Sequence, residues 1–222
     1  MPTATIVKNY SVPGYPSRQA KVSRSADNVA VWGGADAPIT LNPAKAVTDF
    51  AEGDPNEATC NLAAGHAQTD GDFDVYWSES GVAKIRYGVA AVIVTNAVTL
   101  TGGAGDDYPA TVADGLVTIC KQKEIAASID GDQVSIFWVA LLFANVSATA
   151  RGHVDFQEDD DTQVGQIDIT GILSGTAIVD YDITGGVANP LTGNPIFHVQ
   201  VTHNDTTYTP TFEMVVLADS TA

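Results

Sequence analysis

The stretch Asp72-Phe73-Asp74-Val75-Tyr76-Trp77-Ser78 alternates polar and apolar side chains. Successive side chains of a β-strand point to opposite faces of a sheet, so a period of two places Phe73, Val75 and Trp77 on one face. The stretch therefore predicts a half-buried strand whose apolar face lies on a core. No long helical period appears elsewhere in the chain, and this strand pattern sets the expected fold class.

More strand signals follow at short spacing. Val92-Ile93-Val94 and Val98-Thr99-Leu100 flank Thr95-Asn96-Ala97, a pattern that predicts a hairpin. One short helix is predicted at 43–50, because proline is tolerated at a first helical position. We expect an all-β chain that forms an antiparallel β-sandwich or barrel. Further strands are predicted over residues 84–89, 116–121, 134–143, 166–170, 177–184, 196–202 and 211–217.

Length and charge divide the chain into three parts. Its 222 residues fit one large β domain or two small tandem ones. Residues 1–26 hold four bases and no acid, residues 27–123 have a net charge of −8, and residues 124–222 have −13 with Arg151 as their single base. We predict an arm at 1–26, a β domain at 27–123 and an acidic β domain at 124–222.

The first segment combines positive charge with proline. Pro13 and Pro16 disfavour a helix and favour extended backbone. A basic segment on an acidic body attracts the acidic surface of another copy, which predicts a contact between copies. The alternative interpretation of this segment is a solvated tail. The predicted contact residues of this extended N-terminal assembly arm are Lys8, Tyr10, Tyr15, Arg18, Lys21 and Arg24.

Clustered carboxylates raise the question of metal binding. Asp70, Asp72 and Asp74 have the spacing that opens a calcium loop, but Val75 and Gly81 stand where an EF-hand needs Gly and Glu. We predict no metal there and no cofactor. A second cluster is expected to be a solvated loop, an acidic contact or a weak calcium loop, and it comprises Glu158, Asp159, Asp160 and Asp161.

Histidines and cysteines give no zinc or disulfide pattern. No histidine has the spacing of a metal ligand, so all are expected as isolated surface or turn residues: His66, His153, His198 and His203. Cys60 and Cys120 lack a CxxC partner and make no disulfide framework. Cys120 ends an apolar run, which predicts a buried free thiol.

Motifs for catalysis and phosphate binding are also missing from the sequence. There is no Gly-x-Ser-x-Gly elbow, and Gly102-Gly103-Ala104-Gly105 is followed by neither Lys-Ser/Thr nor a helix pattern. We therefore expect that the chain is not an enzyme. The acidic body repels nucleic acid and anionic membranes, so neither is a predicted partner of the body. No secretory signal and no apolar run long enough to span a bilayer are expected.

Two parts of the chain resemble small β-rich virion proteins of tailed bacteriophages. One part runs from Asp72 to Lys121 and contains Tyr76-Trp77, Arg86-Tyr87-Gly88, the 92–100 hairpin and Gly102-Gly103-Ala104-Gly105-Asp106; the other is the opening, 1–25. The resemblance has no diagnostic motif. It implies a capsid decoration protein, which grips the lattice with an N-terminal arm, or a tail-tube subunit, whose acidic lumen faces DNA.

These observations predict a virion structural protein, of the capsid decoration or a similar type. It is expected to self-assemble as a homo-oligomer or to dock on other capsid or tail proteins, and to be located in the virion after synthesis in host cytoplasm. The alternatives are a tail-tube subunit and an extracellular, adhesin-like β-sandwich that binds glycans. In that last case Trp32, Trp77 or Tyr108 would stack on sugar rings, although the apolar strand face of Trp77 favours a place in the core.

Overall fold

A computed structural model describes residues 7–10, 18–21, 28–32, 38–54, 56–110, 112–113, 115–128, 133–147, 150–158, 163–169, 175–181, 191–192 and 196–220. The strands in chain order are β1 (Val7–Tyr10), β2 (Arg18–Lys21), β3 (Asn28–Trp32), β4 (Ile39–Thr40), β5 (Lys45–Ala46), β6 (Thr48–Glu52), β7 (Glu57–Asn61), β8 (Gly71–Glu79), β9 (Val82–Val94), β10 (Ala97–Gly105), β11 (Thr118–Lys121), β12 (Lys123–Ser128), β13 (Gln133–Val146), β14 (Gly152–Glu158), β15 (Gln163–Ile169), β16 (Gly175–Tyr181), β17 (Leu191–Thr192), β18 (Ile196–His203) and β19 (Thr211–Ser220).

The predicted all-β class is confirmed. The strands pair antiparallel throughout, and the described part of the chain contains no helix. The helix predicted at 43–50 is wrong, because β5 and the start of β6 occupy that segment. The Val47 N–H donates to the Val117 carbonyl and the Val47 carbonyl accepts from Gly115, so non-local partners take the main-chain groups that a helix would pair locally. Among the described residues, no helix has the length and apolar character needed to cross a bilayer.

Strands β5 to β11 form one sheet that curls into a nearly closed barrel. Its order is β5-β11-β8-β9-β10-β7-β6. Only Val47 separates β5 from β6, yet these strands lie at opposite edges of the sheet. The two edges must therefore come close together, which is possible only if the sheet curves around its own core.

The interior of this barrel is apolar and contains the face that the sequence predicted for β8. Phe73, Val75 and Trp77 are buried there with the inward residues of β9 and β10. Trp77 and Tyr108 lie 6.0 Å apart, centroid to centroid, and both are buried. Stacking of either ring on a sugar is therefore excluded, and the prediction that Trp77 fills the core is confirmed. The 92–100 hairpin is also confirmed, with Ala97 paired to Val94.

The remaining long strands form a sandwich of two sheets. One has the order β12-β18-β14-β15, and the other has the order β16-β13-β19-β3. In the second sheet β4 continues the edge made by β3, because both pair with β19, and β17 continues the edge made by β16 along β13. Phe143 and Phe212 meet edge to face inside it at 5.0 Å between ring centroids.

The strand order of the sandwich is that of a jelly roll. With each interrupted edge taken as one strand, its eight strands in chain order occupy the positions 1-8-3-6 in one sheet and 2-7-4-5 in the other. Eight strands in two such sheets are the jelly-roll arrangement of paired Greek keys. The barrel is an insertion between the first strand, β3/β4, and the second, β12.

This connectivity bears on the boundary predicted at residue 123. The change from barrel to sandwich falls between β11, which ends at Lys121, and β12, which begins at Lys123. Strands β3 and β4, however, lie within the segment 27–123 and pair with β19 of the sandwich. The barrel thus joins the sandwich at the end where β4 and β18 finish and β12 begins.

The N-terminal segment folds back on itself. Strands β1 and β2 pair antiparallel, with Tyr10 opposite Arg18 and Val7 opposite Lys21, and they form a separate two-stranded sheet. The backbone is extended in both strands, as predicted, but the two strands make a hairpin rather than one straight arm. Strand β3, which follows the hairpin in the chain, lies at the edge of the sandwich.

Candidate functional site: a buried polar seam between barrel and sandwich

Polar side chains from the barrel and the sandwich meet in a buried layer, which we call the seam. The barrel side has Asp74 and Tyr76, on the face of β8 that points away from the barrel core. The strand is buried from Phe73 to Trp77 on both faces, so the predicted half-buried strand is covered on its polar face as well. The seam comprises Asn42, Asp74, Tyr76, Cys120, Gln122, Arg151, His153, Asp155, Thr202 and His203.

The centre of the seam is a chain of hydroxyl and carboxyl groups. The Thr202 hydroxyl donates to Asp74 Oδ2, and the Tyr76 hydroxyl lies 2.6 Å from the Thr202 hydroxyl. Because the one Thr202 proton is directed at the carboxylate, the Tyr76 hydroxyl must donate to Thr202. All three residues are buried. The chain therefore joins β8 of the barrel directly to β18 of the sandwich.

Asp74 has further donors that compensate for its burial. The Gly88 N–H and the Gln122 side-chain amide donate to Oδ1 at 3.0 and 3.1 Å. Burial raises the pKa of Asp74, while the charge of His153 and these hydrogen bonds act in the opposite direction. Burial also raises the pKa of Tyr76 well above its ordinary value, and the neighbouring Asp74 adds to this.

Arg151 is a second link across the seam. Its guanidinium donates to the main-chain carbonyls of Trp77, at 2.8 Å, and of Lys84, at 3.3 Å. It also lies over the Tyr76 ring, 5.6 Å from the centroid. Burial lowers the pKa of Arg151, while the neighbouring Tyr76 and Asp106 act to raise it. The single base of residues 124–222 is thus anchored to the barrel.

Two histidines of the sandwich lie in the seam. His153 Nε2 is 3.0 Å from Asp155 Oδ1, and the His153 ring stacks on Tyr87 of the barrel at 4.9 Å and 14°. His203 Nδ1 accepts the Asp205 N–H, so its proton is on Nε2, which donates to the Asn42 carbonyl at 2.8 Å. Burial lowers the pKa of His203 to about 4.

The predicted surface or turn location is therefore wrong for His153 and His203, which are both buried. His66 is half-buried in the segment between β7 and β8, as a turn residue would be. The side chain of His198 lies outside the described residues. His153 and His203 are buried because the barrel covers the ends of β14 and β18, which would face solvent in an isolated sandwich.

Both cysteines are buried free thiols, as predicted for Cys120. Burial raises the pKa of each to about 12. Cys120 belongs to the seam, and its sulfur donates to the Asn42 carbonyl at 3.5 Å. Thiols of this kind are poor nucleophiles at neutral pH because the thiolate is scarce.

The glycine-rich stretch 102–105 is held by Arg86 and not arranged around an anion. The Arg86 guanidinium donates to the carbonyls of Gly102, at 2.7 Å, and Gly103, at 3.1 Å, and to the Asn56 side chain at 2.6 Å. It also lies 5.0 Å from the centre of the Tyr108 ring. The arginine thus binds main-chain oxygens inside the barrel wall.

The groups of the seam are arranged to hold the barrel and the sandwich together. Asp74, Tyr76, Thr202 and His203 are buried, and each is hydrogen-bonded to the opposite side. Polar networks that are buried and satisfied fix one arrangement of the elements that contribute to them. Among the described residues, no group of three or more His, Cys, Asp or Glu side chains is arranged to hold a metal ion.

Those of the predicted arm and acidic-loop residues that the structure describes are not part of the seam. Lys8 and Tyr10 are in β1, Arg18 and Lys21 are in β2, and Glu158 ends β14. The others lie outside the described residues: Tyr15, Arg24, Asp159, Asp160 and Asp161. The contact role of the arm and the calcium or contact role of the acidic loop stay predictions.

The seam itself was missed from the sequence, although one signal was present. Arg151 is the only Lys or Arg in a segment with 14 acids, which singles it out as a candidate for a specific contact. For Asp74 and Thr202 the sequence holds no such signal, because they are 128 positions apart.

Comparison with known proteins gives no family. No protein-family model matches the chain, and no curated protein matches it. Among solved structures, the chain is similar to a structure of infectious bursal disease virus Gx strain, with 12% identity, 86% of this chain and 67% of that chain covered, and a TM-score of 0.28. It is also similar to the VP2 subviral particle of infectious bursal disease virus, with 11% identity, 89% and 71% covered, and a TM-score of 0.30. TM-scores this low do not indicate a shared fold.

Proposed function

We propose that the chain is a virion structural subunit, a capsid decoration protein or similar, that self-associates or docks on a protein lattice through its N-terminal hairpin. The observation that carries the proposal is the separate basic hairpin. Strands β1 and β2 pair with each other and with no other described strand, and they belong to a segment with four bases and no acid. The rest of the chain is strongly acidic, so the hairpin is drawn to acidic protein surfaces.

The jelly roll and the seam support the same role. Jelly rolls are the architecture of many viral capsid and lectin domains, and a lattice subunit must hold its parts in one arrangement. The buried hydrogen bonds of Thr202 and Arg151 fix the barrel on the sandwich. The buried groups Asp74, His153 and His203 lie inside the seam, where they hold the barrel on the sandwich, and this favours a structural role for them.

The glycan-binding alternative has less support. A jelly roll suits a lectin as well as a capsid protein, but Trp77 and Tyr108 fill the barrel core. Trp32, in the edge strand β3, is the aromatic residue that keeps this alternative open. A tail-tube subunit remains the second virion candidate because of the −13 charge of residues 124–222.

Deletion of residues 1–25 tests the proposal. We expect the full-length protein to form oligomers in light scattering after size-exclusion chromatography, and the truncated protein to be a folded monomer with an unchanged β-type circular dichroism spectrum. A matched full-length variant with Lys8, Arg18, Lys21 and Arg24 all replaced by Gln keeps the hairpin and should also be monomeric. A truncated protein that still forms the oligomer would refute the role of the hairpin.

Negative-stain microscopy of the assembled full-length protein separates the virion candidates. A two-dimensional or closed lattice supports a decoration role, whereas a hollow tube supports a tail-tube subunit. Full-length protein that stays a dispersed monomer at high concentration would refute self-association through the hairpin.

A further inference from the structure

The outer face of the barrel over strands β6, β7, β10 and β9 carries no charged side chain at its centre. Cross-strand partners lie on the same face of a sheet, and the register pairs Val94 with Ala97, Val92 with Thr99, and Ala90 with Thr101. Thr99 in turn faces Thr59, and Thr59 faces Ala51. We call this surface the outer face, and it comprises Thr48, Ala51, Thr59, Ala90, Val92, Val94, Ala97, Thr99 and Thr101, all exposed.

Two large apolar side chains lie on β9, at the side of the outer face where the Ile93 N–H donates to the Asp70 carboxylate at 2.7 Å. Val92 is 54% exposed and Val94 is 67% exposed. Their neighbours on the face are alanines and threonines, which add methyl groups to the same surface. A contiguous apolar surface of this kind, on a chain with 27 acids, is typical of a protein contact site.

The margin of the outer face is acidic. Asp72 pairs with Ala90, Ala90 with Thr101, and Thr101 with Glu57, so this row of the sheet begins and ends with an exposed carboxylate. Asp49 lies at the other margin, where its carboxylate accepts from Asn61 at 2.9 Å. The surface therefore fits a partner with an apolar or aromatic centre and cationic ends.

We propose that the outer face receives the basic N-terminal hairpin of a second copy of this chain. The register of β1 and β2 puts Lys8, Tyr10 and Arg18 on one face of the hairpin, which combines an aromatic residue with two cations. The hairpin complements the acidic margin in charge. Within the described part of the chain, nothing covers Val92 and Val94, which are 54% and 67% exposed.

This inference rests on the proposed function and identifies the surface that the hairpin contacts. Val92→Lys places a positive charge in the apolar part of the outer face and should weaken self-association about tenfold or more in sedimentation equilibrium. The matched control is Val82→Lys, because Val82 is 58% exposed at the far end of the same strand. The control should associate like the parent protein.

Zero-length carbodiimide cross-linking of mixed ¹⁴N- and ¹⁵N-labelled full-length protein identifies the contact directly. We expect links from Lys8, which lies on the docking face of the hairpin, to Glu57 or Asp72, and mixed-isotope peptides show that these links join two copies. Links that join only peptides of the same isotope would mean that the hairpin lies on its own barrel. Links to acids of the sandwich, such as Glu124, would place the hairpin elsewhere, and either result overturns the inference.

The two proposals fail in different ways. If deletion of residues 1–25 abolishes the oligomer but Val92→Lys assembles like the parent, the hairpin acts on another surface and only the present inference is wrong. If the deletion leaves the oligomer intact, the role of the hairpin in assembly is wrong as well. If Val82→Lys weakens association as much as Val92→Lys, the effect is one of added charge and the outer face is not the contact.

Discussion

The Thr202 hydroxyl of the sandwich donates a hydrogen bond to the carboxylate of Asp74 in the barrel, and the two residues are 128 positions apart in the chain. Both are buried. This contact joins an inserted barrel to the jelly roll that surrounds it in sequence. The hydrogen bond should therefore couple the unfolding of the barrel to that of the jelly roll. Its contribution to the free energy of unfolding can be measured.

Thr202→Val should destabilise the protein by about 2 kcal/mol, because it leaves a buried Tyr76 hydroxyl without its acceptor and removes one donor from Asp74. Tyr76→Phe alone should cost about 1 kcal/mol. Added to Thr202→Val, however, Tyr76→Phe should cost almost nothing, since it removes a hydroxyl that is already unpaired. Urea unfolding of the four proteins gives the coupling energy. Additive losses would contradict the proton chain from Tyr76 to Asp74 by way of Thr202.

Much of the local structure follows from the sequence. Phe73, Val75 and Trp77 face the barrel core as the alternation predicts, and the 92–100 hairpin forms where its turn residues lie. Both features depend on residues that are close in sequence, and local patterning is sufficient for them.

The burial of the alternate face of β8 could not be predicted in the same way. The pattern places Asp74 and Tyr76 on the polar side of a half-buried strand, and in the structure the sandwich covers that side. The same holds for the jelly-roll order, in which Trp32 pairs with Met214. Contacts between residues this far apart in the sequence depend on the packing of whole sheets, and a single sequence carries no periodic signal for them.

His203 should make the protein sensitive to acid. Its pKa falls from an ordinary 6.5 to about 4 in the folded state, so the folded protein favours the neutral ring. A group with a lowered folded pKa stabilises above its unfolded pKa, and this stabilisation is lost as the pH falls from about 6.5 towards 4. The loss should reach about 3 kcal/mol, because each pKa unit corresponds to about 1.4 kcal/mol.

Urea unfolding at several pH values between 7 and 4 measures this loss. His203→Gln offers a comparison in which the side chain still reaches Asn42 but does not titrate in this range. The variant should be less stable than the parent at pH 7 and should lose less stability on acidification. Asp205, whose pKa is lowered by three backbone N–H donors despite its burial, contributes in the same direction only near its ordinary value of 3.8. Parallel curves for parent and variant would exclude His203 as the cause.

Arg151 should matter more for stability than its place in a loop suggests. Arg151→Met removes the donors to the Trp77 and Lys84 carbonyls and the contact with the Tyr76 ring. We expect a loss of about 2–3 kcal/mol in the free energy of unfolding, because the freed carbonyls are partly buried. The matched control is Lys84→Met, which breaks the surface pair with Asp106 and should have a much smaller effect. Equal effects of the two variants would contradict the anchoring role of Arg151.

Neighbouring glycines in β10 separate backbone strain from steric clash. Gly102 and Gly103 both have positive φ, +75° and +77°. A Cβ atom on Gly102 would meet nothing within 4 Å, whereas on Gly103 it would lie 2.6 Å from Val89 Cγ2 and 2.7 Å from the Tyr87 carbonyl oxygen. The two positions therefore carry the same conformational penalty, and only Gly103 adds a collision with the main chain of β9.

Gly102→Ala should lower the free energy of unfolding by about 1–2 kcal/mol, the usual penalty for a left-handed non-glycine residue. Gly103→Ala should cost about 2 kcal/mol more than that, because Tyr87 lies in a paired strand and its carbonyl cannot move without breaking the ladder. Urea unfolding measures both losses, and soluble yield reports the second if that variant does not fold. Equal losses for the two alanines would mean that β9 and β10 do not pair in the register described, and the outer face that they share would lose its basis.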